Sequence, residues 1–364
     1  MSDARQVVLE QFGQPLAVAH VPVSMPRAGE VLLKVDMAGI CGSDLHTWKG
    51  EVARSLPMVL GHEGVGRIEA MGPGADRDSA GTPVRKGDRV YWAPLRPCHR
   101  CYYCTVQQDL SSCEARATYG EVGRVTWNSY ADLALLPAGM SFCRIPDDTP
   151  SQAVIAFGCA MPTILQAVDR LGGIQRSNSV VIQGSGPVGL AATVVAHLAG
   201  AERVIVIDRF VDRLALAARL GASETILLRR EQSSADRVAQ IWALCSERGA
   251  DVVIEASGAV SAFPEGVQMV ARNGRYLLVG LWAGSDDVPL KPSYILNNNI
   301  RIIGSAYTSP THYFGAVRLS QHLHLRLPIA DVVTRQFGLS QVMQAFDCVA
   351  HGQPGKVVLV PALG

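Results

Sequence analysis

The sequence lacks any strong excess of charge of one sign, and this narrows the partners that the protein can have. Its 364 residues carry 33 basic and 32 acidic side chains, which gives a formal net charge of +1. Proteins that bind nucleic acid or an anionic membrane present a strongly basic surface, so the near balance argues against both partners. We expect a small substrate that is neutral or weakly charged.

Long hydrophobic runs are also missing. No stretch approaches the roughly 20 apolar residues that cross a bilayer, and residues 1–6 do not begin the charged-then-apolar pattern of a signal peptide. We therefore expect a cytoplasmic protein with no membrane partner. Repeats and low-complexity segments are absent too, and 48% hydrophobic with 18% charged residues is typical of a globular protein, here long enough for two domains.

Cysteine is sparse over most of the chain but crowded in one segment. Four of the nine cysteines form the pattern Cys-x2-Cys-x2-Cys-x8-Cys, at Cys98, Cys101, Cys104 and Cys113. Disulfides are rare in cytoplasmic proteins, so such clustering favours a metal. Four thiolates predict a closed structural zinc site with no coordination position open for chemistry, and we expect His99 to be exposed rather than a ligand.

The pattern of secondary structure changes near residue 150. Before it, short β-branched runs broken by Gly and Pro predict an irregular β domain. After it, predicted strands alternate with helices, which indicates a doubly wound parallel sheet. These strands are expected at residues 179–183, 203–207, 251–255, 275–280 and 300–304. A last helix and strand, near 339–349 and 356–360, could extend either domain.

A glycine-rich turn follows the first of these predicted strands. It reads Gly184-Ser-Gly-Pro-Val-Gly189 and opens a helix, as in the G-x-G-x-x-G turn that brings a helix N-terminus to a dinucleotide pyrophosphate. The predicted cofactor residues in it are Gly184, Gly186, Pro187, Val188 and Gly189. Asp208 ends the next strand, 22 positions after Gly186, where a carboxylate binds the adenosine ribose hydroxyls. This favours NAD, and the adjacent Arg209 leaves NADP as the lesser alternative.

A second set of metal-binding residues lies nearer the start of the chain. Cys41 belongs to Gly39-Ile-Cys-Gly-Ser-Asp-Leu-His46, and His62 to Gly61-His-Glu-Gly64. A single Cys is usually a core residue and a single His a satisfied polar one, so the residues alone leave core and metal roles open. Spacing does not identify a third ligand.

In this order, the motifs resemble the zinc-dependent medium-chain dehydrogenase/reductase family, which includes alcohol, sorbitol and threonine dehydrogenases. The resemblance covers essentially the whole chain. It implies an α/β protein with a GroES-like domain, residues 1–155 completed by 306–364, and a Rossmann domain, residues 156–305. It also implies an active site in the cleft between the domains and a homodimer or homotetramer.

The resemblance further implies two zinc ions per chain. The catalytic ion would be held by Cys41, His62 and a third residue just before the cofactor domain, where this chain has Cys159 and polyol-type members have Glu. Glu63 matches a carboxylate that can approach the metal during ligand exchange. Asp44 matches an acid that orients the zinc-bound histidine.

One interval departs from the family's pattern. Eight residues separate Cys104 from Cys113, one more than is usual, and the glycine common in that interval is absent. We expect the loop to bulge there.

For the chemistry, the resemblance implies that Ser43 receives the hydroxyl proton and that His46 passes it to solvent by way of the cofactor ribose. Without the motif, Ser43 would be interpreted as a helix cap. Other cofactor contacts are implied for Thr163 at the nicotinamide, Arg213 near the adenosine, Lys356 at the pyrophosphate, and Val279, Leu281, Ser305 and Tyr307 beside the nicotinamide.

The expected activity is oxidation of a secondary or cyclic alcohol to a ketone with NAD(H), or the reverse. Trp48, Trp92 and Leu95 lie in segments that border the pocket in the family, and their bulk, with Cys159 in place of Glu, favours a cyclic or branched alcohol over a polyol. The alternatives are a sorbitol- or threonine-type dehydrogenase, a zinc-free reductase, and a catalytically idle NAD-binding structural or sensory protein. The complete set of predicted catalytic residues argues against the last two.

Overall fold

The chain forms two compact units. The computed structural model describes residues 3–280, 283 and 287–364. The first unit runs to Pro162 and includes Tyr307–Gly364, and the second is Thr163–Ala306. The sequence prediction placed these boundaries after residues 155 and 305. The first observed boundary falls inside a helix, Ala160–Leu171, which the composition of the segment did not reveal.

The elements of the described residues follow the chain in this order. The strands are β1 Ala4–Leu9, β2 Ala17–Val21, β3 Val31–Gly39, β4 Met58–Val59, β5 Gly64–Met71, β6 Arg89–Trp92, β7 Leu133–Leu136, β8 Phe142–Arg144, β9 Ser179–Gln183, β10 Arg203–Asp208, β11 Glu224–Leu227, β12 Ala250–Glu255, β13 Val270–Leu278, β14 Arg301–Gly304, β15 Val333–Phe337 and β16 Lys356–Leu359. The helices are α1 Gly42–Trp48, α2 Tyr102–Thr105, α3 Ser151–Ile155, α4 Ala160–Leu171, α5 Pro187–Leu198, α6 Val211–Arg219, α7 Ser234–Leu244, α8 Ala262–Met269, α9 Pro292–Asn297, α10 Pro310–Leu323 and α11 Val342–Ala350.

The first unit is built on two β-sheets. A larger sheet has the order β15-β16-β3-β5-β6-β8, with β7 also paired to β3, and a small one has the order β2-β1-β4. In β3, Val31, Leu33 and Val35 alternate with other residues and enter the same core, as expected for a strand with one face on an apolar interior. The C-terminal strand β16 pairs antiparallel with β3, so the tail completes this unit.

The second unit contains one parallel sheet with the order β11-β10-β9-β12-β13-β14. The predicted α/β class with a doubly wound sheet is confirmed, and all five predicted strands are present. Val180, Val181 and Ile182 are fully buried, which is typical of a parallel strand covered on both faces. Six strands were expected in this segment, but the sixth, β11, was not located because it is a short edge strand whose first two residues are exposed.

The topology of each unit brings functional segments together. In the parallel sheet, the carboxyl ends of β9, β10 and β12 meet at one edge, which is where such sheets bind ligands. In the first unit, the turn from β3 into α1 carries Cys41, and the turn between β4 and β5 carries His62. Among the described residues, no helix has both the length and the apolar character needed to cross a membrane.

Candidate metal and dinucleotide sites

Four metal-binding side chains converge in the first unit. Ligand atoms of Cys41, His62, Glu63 and Cys159 all lie within 4.8 Å of one another. The two sulfur atoms are 3.7 Å apart. A tetrahedral zinc with Zn–S bonds of about 2.3 Å places two sulfurs about 3.8 Å apart, whereas a disulfide needs about 2.05 Å. The donor set and this spacing therefore fit a zinc ion.

Hydrogen bonds orient His62 within this cluster. Its Nδ1 lies 3.1 Å from Asp44 Oδ1, and the other carboxylate oxygen accepts bonds from the Cys41 backbone N–H at 3.0 Å and from the Tyr130 hydroxyl at 2.6 Å. His62 Nε2 remains on the side of Ser43 Oγ, at 3.3 Å. A carboxylate on the second nitrogen is the usual support of a metal-binding histidine. Tyr130, which extends this support, was not identified from the sequence.

The charges of the cluster also favour a cation. The hydrogen bond with Cys159 lowers the pKa of Cys41, and the same contact together with burial raises the pKa of Cys159. A dication in contact with both sulfurs would stabilise both as thiolates. Burial disfavours a charge on His62, but the Asp44 carboxylate and the Cys41 sulfur raise its pKa well above the ordinary value.

Glu63 is fixed by a buried lysine. Its Oε1 accepts the Cys159 backbone N–H at 2.9 Å, and its Oε2 lies 2.5 Å from Lys356 Nζ, which also donates to the Ile40 carbonyl at 3.1 Å. Both side chains are at most 1% exposed. Burial opposes the lysine charge, but Glu63 and the two cysteines raise the pKa of Lys356 well above its usual range. This ion pair replaces the predicted contact of Lys356 with a pyrophosphate.

The predicted proton carriers lie on helix α1. Cys41 is the N-cap of this helix, so Ser43 is inside its first turn and does not cap it. Its hydroxyl faces His62 instead. His46 lies on the exposed side of α1, where its Nδ1 contacts the Glu51 carboxylate. The helix thus connects the buried cluster to the surface of the first unit.

The four crowded cysteines form a second cluster. The sulfurs of Cys98, Cys101, Cys104 and Cys113 all lie within 4.8 Å of one another, with Cys101 at 3.5 Å from Cys104 and 4.0 Å from Cys113. Backbone N–H groups of Cys104 and Glu114 lower the pKa of Cys101 to about 6. Burial raises the pKa of Cys104 to about 12. Four converging thiols in this geometry fit a tetrahedral zinc and leave no position for a substrate.

The additional residue between Cys104 and Cys113 is accommodated by a local turn. Gln108 adopts a left-handed backbone conformation with φ of 55°. Asp109 then caps a 3-10 turn, Leu110–Ser112, by accepting the Ser111 N–H at 3.0 Å. This bulge returns Cys113 to the other thiols. His99 is exposed, as predicted, and is outside the cluster.

In the second unit, the glycine-rich turn has the properties expected of a phosphate-binding turn. Gly184 has φ of +96°, and a Cβ there would lie 2.7 Å from Ser257 Cα. A Cβ on Gly189 would lie 1.8 Å from the Gly184 carbonyl, so α5 packs directly on the turn. A Cβ on Gly186 would meet nothing closer than Arg213 Nη1 at 4.0 Å. The space above Gly186, at the N-terminus of α5, thus fits a pyrophosphate.

Asp208 joins this turn to the next strand. Its Oδ2 accepts the backbone N–H and the hydroxyl of Ser185, at 2.6 and 2.8 Å, and its Oδ1 accepts the Phe210 N–H at 3.0 Å. The guanidinium groups of Arg209 and Arg213 lie 4.7 and 4.8 Å from the centre of the Phe210 ring. Burial lowers the pKa of Arg213. The Asp208 carboxylate is therefore fixed at the C-terminal end of β10, beside the glycine-rich turn.

Comparisons with known proteins identify the family that the chain resembles. The model of the alcohol dehydrogenase GroES-like domain matches residues 27–147, and that of the zinc-binding dehydrogenase matches residues 187–322. A 5-exo-hydroxycamphor dehydrogenase of Pseudomonas putida is 42% identical over 93% of this chain and 94% of its own length. An erythritol/L-threitol dehydrogenase of Mycolicibacterium smegmatis is 31% identical over 94% of both. The crystal structure of an alcohol dehydrogenase from Thermotoga maritima has a TM-score of 0.92 at 31% identity, covering 98% of this chain and 99% of that one.

The chain belongs to the zinc-dependent medium-chain dehydrogenase/reductase family. As a member of it, the protein is an oxidoreductase that acts on an alcohol group and uses zinc and a nicotinamide cofactor.

Besides Tyr130, the sequence prediction missed Glu255 of this dehydrogenase. Glu255 ends β12, and its Oε1 accepts the N–H groups of Ser257 and Gly258, both at 2.8 Å, while its Oε2 accepts the Gly280 N–H at 3.0 Å. It ties together the loops that follow two adjacent strands at the edge where the sheet binds ligands. The signal was an acidic residue at the end of a buried strand, the same position type as Asp208.

The remaining predicted cofactor contacts of the dehydrogenase lie on several different elements. Thr163 lies on α4, Val279 is half-buried just after β13, and Ser305 is buried after β14 with no partner for its Oγ among the described residues. Tyr307 belongs to the first unit, has φ of 59°, and stacks with Arg116, whose guanidinium is 3.9 Å from the ring centre. Leu281 lies outside the described residues.

The aromatic residues expected around the substrate have structural contacts in the dehydrogenase. Trp48 donates its indole N–H to the Gln14 carbonyl at 2.7 Å, and Trp92 donates to the Trp127 carbonyl at 2.9 Å. Trp92 is 2% exposed and lies within the core of the first unit. Its bulk therefore fills the core, and the expectation that these aromatic residues favour a cyclic substrate stays a prediction.

Proposed function

We propose that this dehydrogenase oxidises a cyclic secondary alcohol to the ketone with NAD, and catalyses the reverse reaction with NADH. The observation that carries the proposal is the cluster of Cys41, His62 and Cys159 with the Ser43 hydroxyl 3.3 Å from His62 Nε2. It combines a metal-binding set with a proton acceptor at the same point. The 42% identity to a 5-exo-hydroxycamphor dehydrogenase supports a cyclic alcohol.

Cys41, His62 and Cys159 would hold the catalytic zinc ion. When bound, the ion acts as a Lewis acid that lowers the pKa of the substrate hydroxyl. Asp44 keeps His62 in the orientation and tautomer that present Nε2. Glu63 is held beside the thiols by Lys356 and is the carboxylate available for ligand exchange. The second zinc would be bound by Cys98, Cys101, Cys104 and Cys113.

The protein must also remove the hydroxyl proton. Ser43 is close enough to the metal cluster to accept it, and at the same time gives up its own hydroxyl proton toward His46, one turn later on α1, which releases a proton to solvent. The order of these residues from buried cluster to exposed surface supports this direction of transfer. Their side chains, rather than bulk water, then set the rate of deprotonation.

For the cofactor, the space above Gly186 and the N-terminus of α5 suit the pyrophosphate, and Asp208 suits the adenosine ribose. The carboxylate of Asp208 repels a 2′-phosphate, which supports NAD over NADP. Arg209 opposes this effect in part. A solved zinc-binding dehydrogenase of Sinorhizobium meliloti, 27% identical with a TM-score of 0.86, is bound to NADP, so both cofactors belong in the test.

The test is metal content and cofactor reduction of the purified protein. We expect two zinc ions per chain, NAD reduction with cyclic secondary alcohols, slower turnover of polyols and threonine, and a kcat/KM at least about 10-fold lower with NADP. Cys159→Ala should keep one zinc and lose at least about 1,000-fold in kcat, because a catalytic ligand set of three cannot lose a member.

Two variants serve as controls for this experiment. Cys113→Ser should also keep one zinc but retain the catalytic one, and Cys348→Ala, a thiol outside both clusters, should keep two zinc ions and full activity. Wild-type activity of Cys159→Ala with both metals retained would contradict the proposed ligand set. A best substrate among the polyols would contradict the substrate class alone.

A further inference from the structure

A carboxylate that no predicted role uses lies against His46. After α1, Gly50 adopts φ of +79° and reverses the chain, so that the Glu51 backbone N–H donates to the His46 carbonyl at 2.9 Å. This return brings the Glu51 carboxylate to His46 Nδ1. Backbone and side-chain contacts thus hold the same two residues together, and both side chains are 44% exposed.

The charge on Glu51 is stable under ordinary conditions. The hydrogen bond with His46 lowers the pKa of the Glu51 carboxyl, and the nearby ammonium of Lys49 acts in the same direction. A carboxylate has no proton to donate, so the hydrogen bond at Nδ1 must come from the imidazole N–H. Nε2 of a neutral His46 then carries the free lone pair.

We propose that Glu51 is a positioning residue of the alcohol oxidation, which holds His46 in the tautomer that can accept a proton at Nε2. This rests on the proposed function, in which His46 is the outer proton carrier. His46 accepts one proton at Nε2 and releases one to water, so it is unchanged after each turnover. Throughout, the carboxylate keeps the ring oriented and stabilises the transient imidazolium, as carboxylates do behind catalytic histidines.

The proposal predicts a large and a small loss of kcat for two substitutions of Glu51 in the zinc-loaded, full-length protein. Glu51→Ala removes the acceptor, and we expect kcat for alcohol oxidation to fall about 10-fold, a typical loss for an outer partner of a functional histidine, with KM changed by less than about twofold. Glu51→Gln keeps an oxygen that accepts the same N–H and should recover most of kcat. Added imidazole should accelerate Glu51→Ala and leave the wild type unchanged.

A matched control tests whether the effect of Glu51→Ala comes from the contact with His46 or from the loss of a surface charge. Glu69 on β5 is 45% exposed and pairs with Lys86 at 2.7 Å, so Glu69→Ala removes a comparable exposed ion pair away from His46. Its kcat should equal that of the wild type. Nitrogen-15 NMR of histidine-labelled protein provides a readout independent of turnover. The His46 signals, assigned by their loss in His46→Gln, should show protonated Nδ1 in the wild type and a mixture of tautomers in Glu51→Ala.

The outcomes separate this inference from the proposed function. If His46→Gln is slow while Glu51→Ala has wild-type kcat, the relay stands and the role of Glu51 is overturned. A wild-type spectrum with protonated Nε2 overturns it as well. If His46→Gln itself retains wild-type kcat, the relay and the role of Glu51 both fail, while the zinc counts and the Cys159→Ala result still decide the ligand set.

Discussion

At the residue scale, the pair of Glu63 and Lys356 shows how burial decides what a charged side chain does. Lys356 is 1% exposed, so its ammonium needs a partner inside the protein. It finds this partner in Glu63, which in turn accepts the Cys159 N–H. The lysine therefore fixes the backbone at one proposed zinc ligand by way of a carboxylate.

Removal of the Lys356 ammonium should destabilise the folded protein. Lys356→Met leaves the Glu63 charge buried and unpaired, and we expect a loss of about 3–5 kcal/mol in the free energy of unfolding. Replacement of both members, Lys356→Met with Glu63→Gln, should recover much of that loss because no buried charge is left alone. Denaturant unfolding of the zinc-loaded variants measures both. Lys86→Met, which removes an exposed ion pair, should change stability by less than about 1 kcal/mol, and an equal effect at both lysines would contradict the argument.

The same pair marks a limit of sequence interpretation. Cys41, His62 and the residues beside them lie in short motifs that resemble those of the family, and this resemblance, rather than the residues alone, predicted their convergence. The partner of Lys356 could not be predicted, because Glu63 lies at the other end of the chain and only the pairing of β16 with β3 brings them together. Tyr130 was missed for the same reason, since its bond to Asp44 is a long-range contact.

At the element scale, the strand-turn-helix unit from β9 to α5 was the most predictable part of the fold. Its strand is buried on both faces, Pro187 occupies the first helical turn, and Gly184 and Gly189 each stand where a Cβ would collide with neighbouring backbone. The start of α4 and the edge strand β11 were less predictable. In those two segments the local sequence pattern is weak, and contacts with the rest of the folded unit determine the secondary structure.

The three glycines of the turn allow a test that separates binding from folding. Gly186 has an ordinary φ of −68°, so alanine fits the backbone, and its methyl group would occupy only the space assigned to the pyrophosphate. Gly186→Ala should keep the melting temperature within about 2 °C and raise the KM for NAD at least about 10-fold. Gly189→Ala places a methyl group on the Gly184 carbonyl and should destabilise the protein by about 1–3 kcal/mol. Unchanged cofactor binding in Gly186→Ala would contradict the assigned space.

At the scale of the whole molecule, the proposed metal sites and the proposed dinucleotide site belong to different units. Both cysteine-containing clusters belong to the first unit, and the glycine-rich turn, Asp208 and Glu255 belong to the second. A ligand that binds only the native state stabilises the segments that hold it. The metals and the dinucleotide should therefore stabilise different parts of the chain.

Hydrogen exchange measured by mass spectrometry tests this division. Removal of zinc with dipicolinate should accelerate exchange in peptides covering residues 41–62 and 98–113, because the thiolates lose the charge that holds them together. Saturating NAD should slow exchange around residues 184–189 and 208, and NADP should do so less. Gly186→Ala provides the control, since it should respond to the chelator like the wild type and lose the protection by NAD. Chelator effects confined to residues 163–306 would contradict both metal assignments, because none of the proposed zinc ligands lies in that unit.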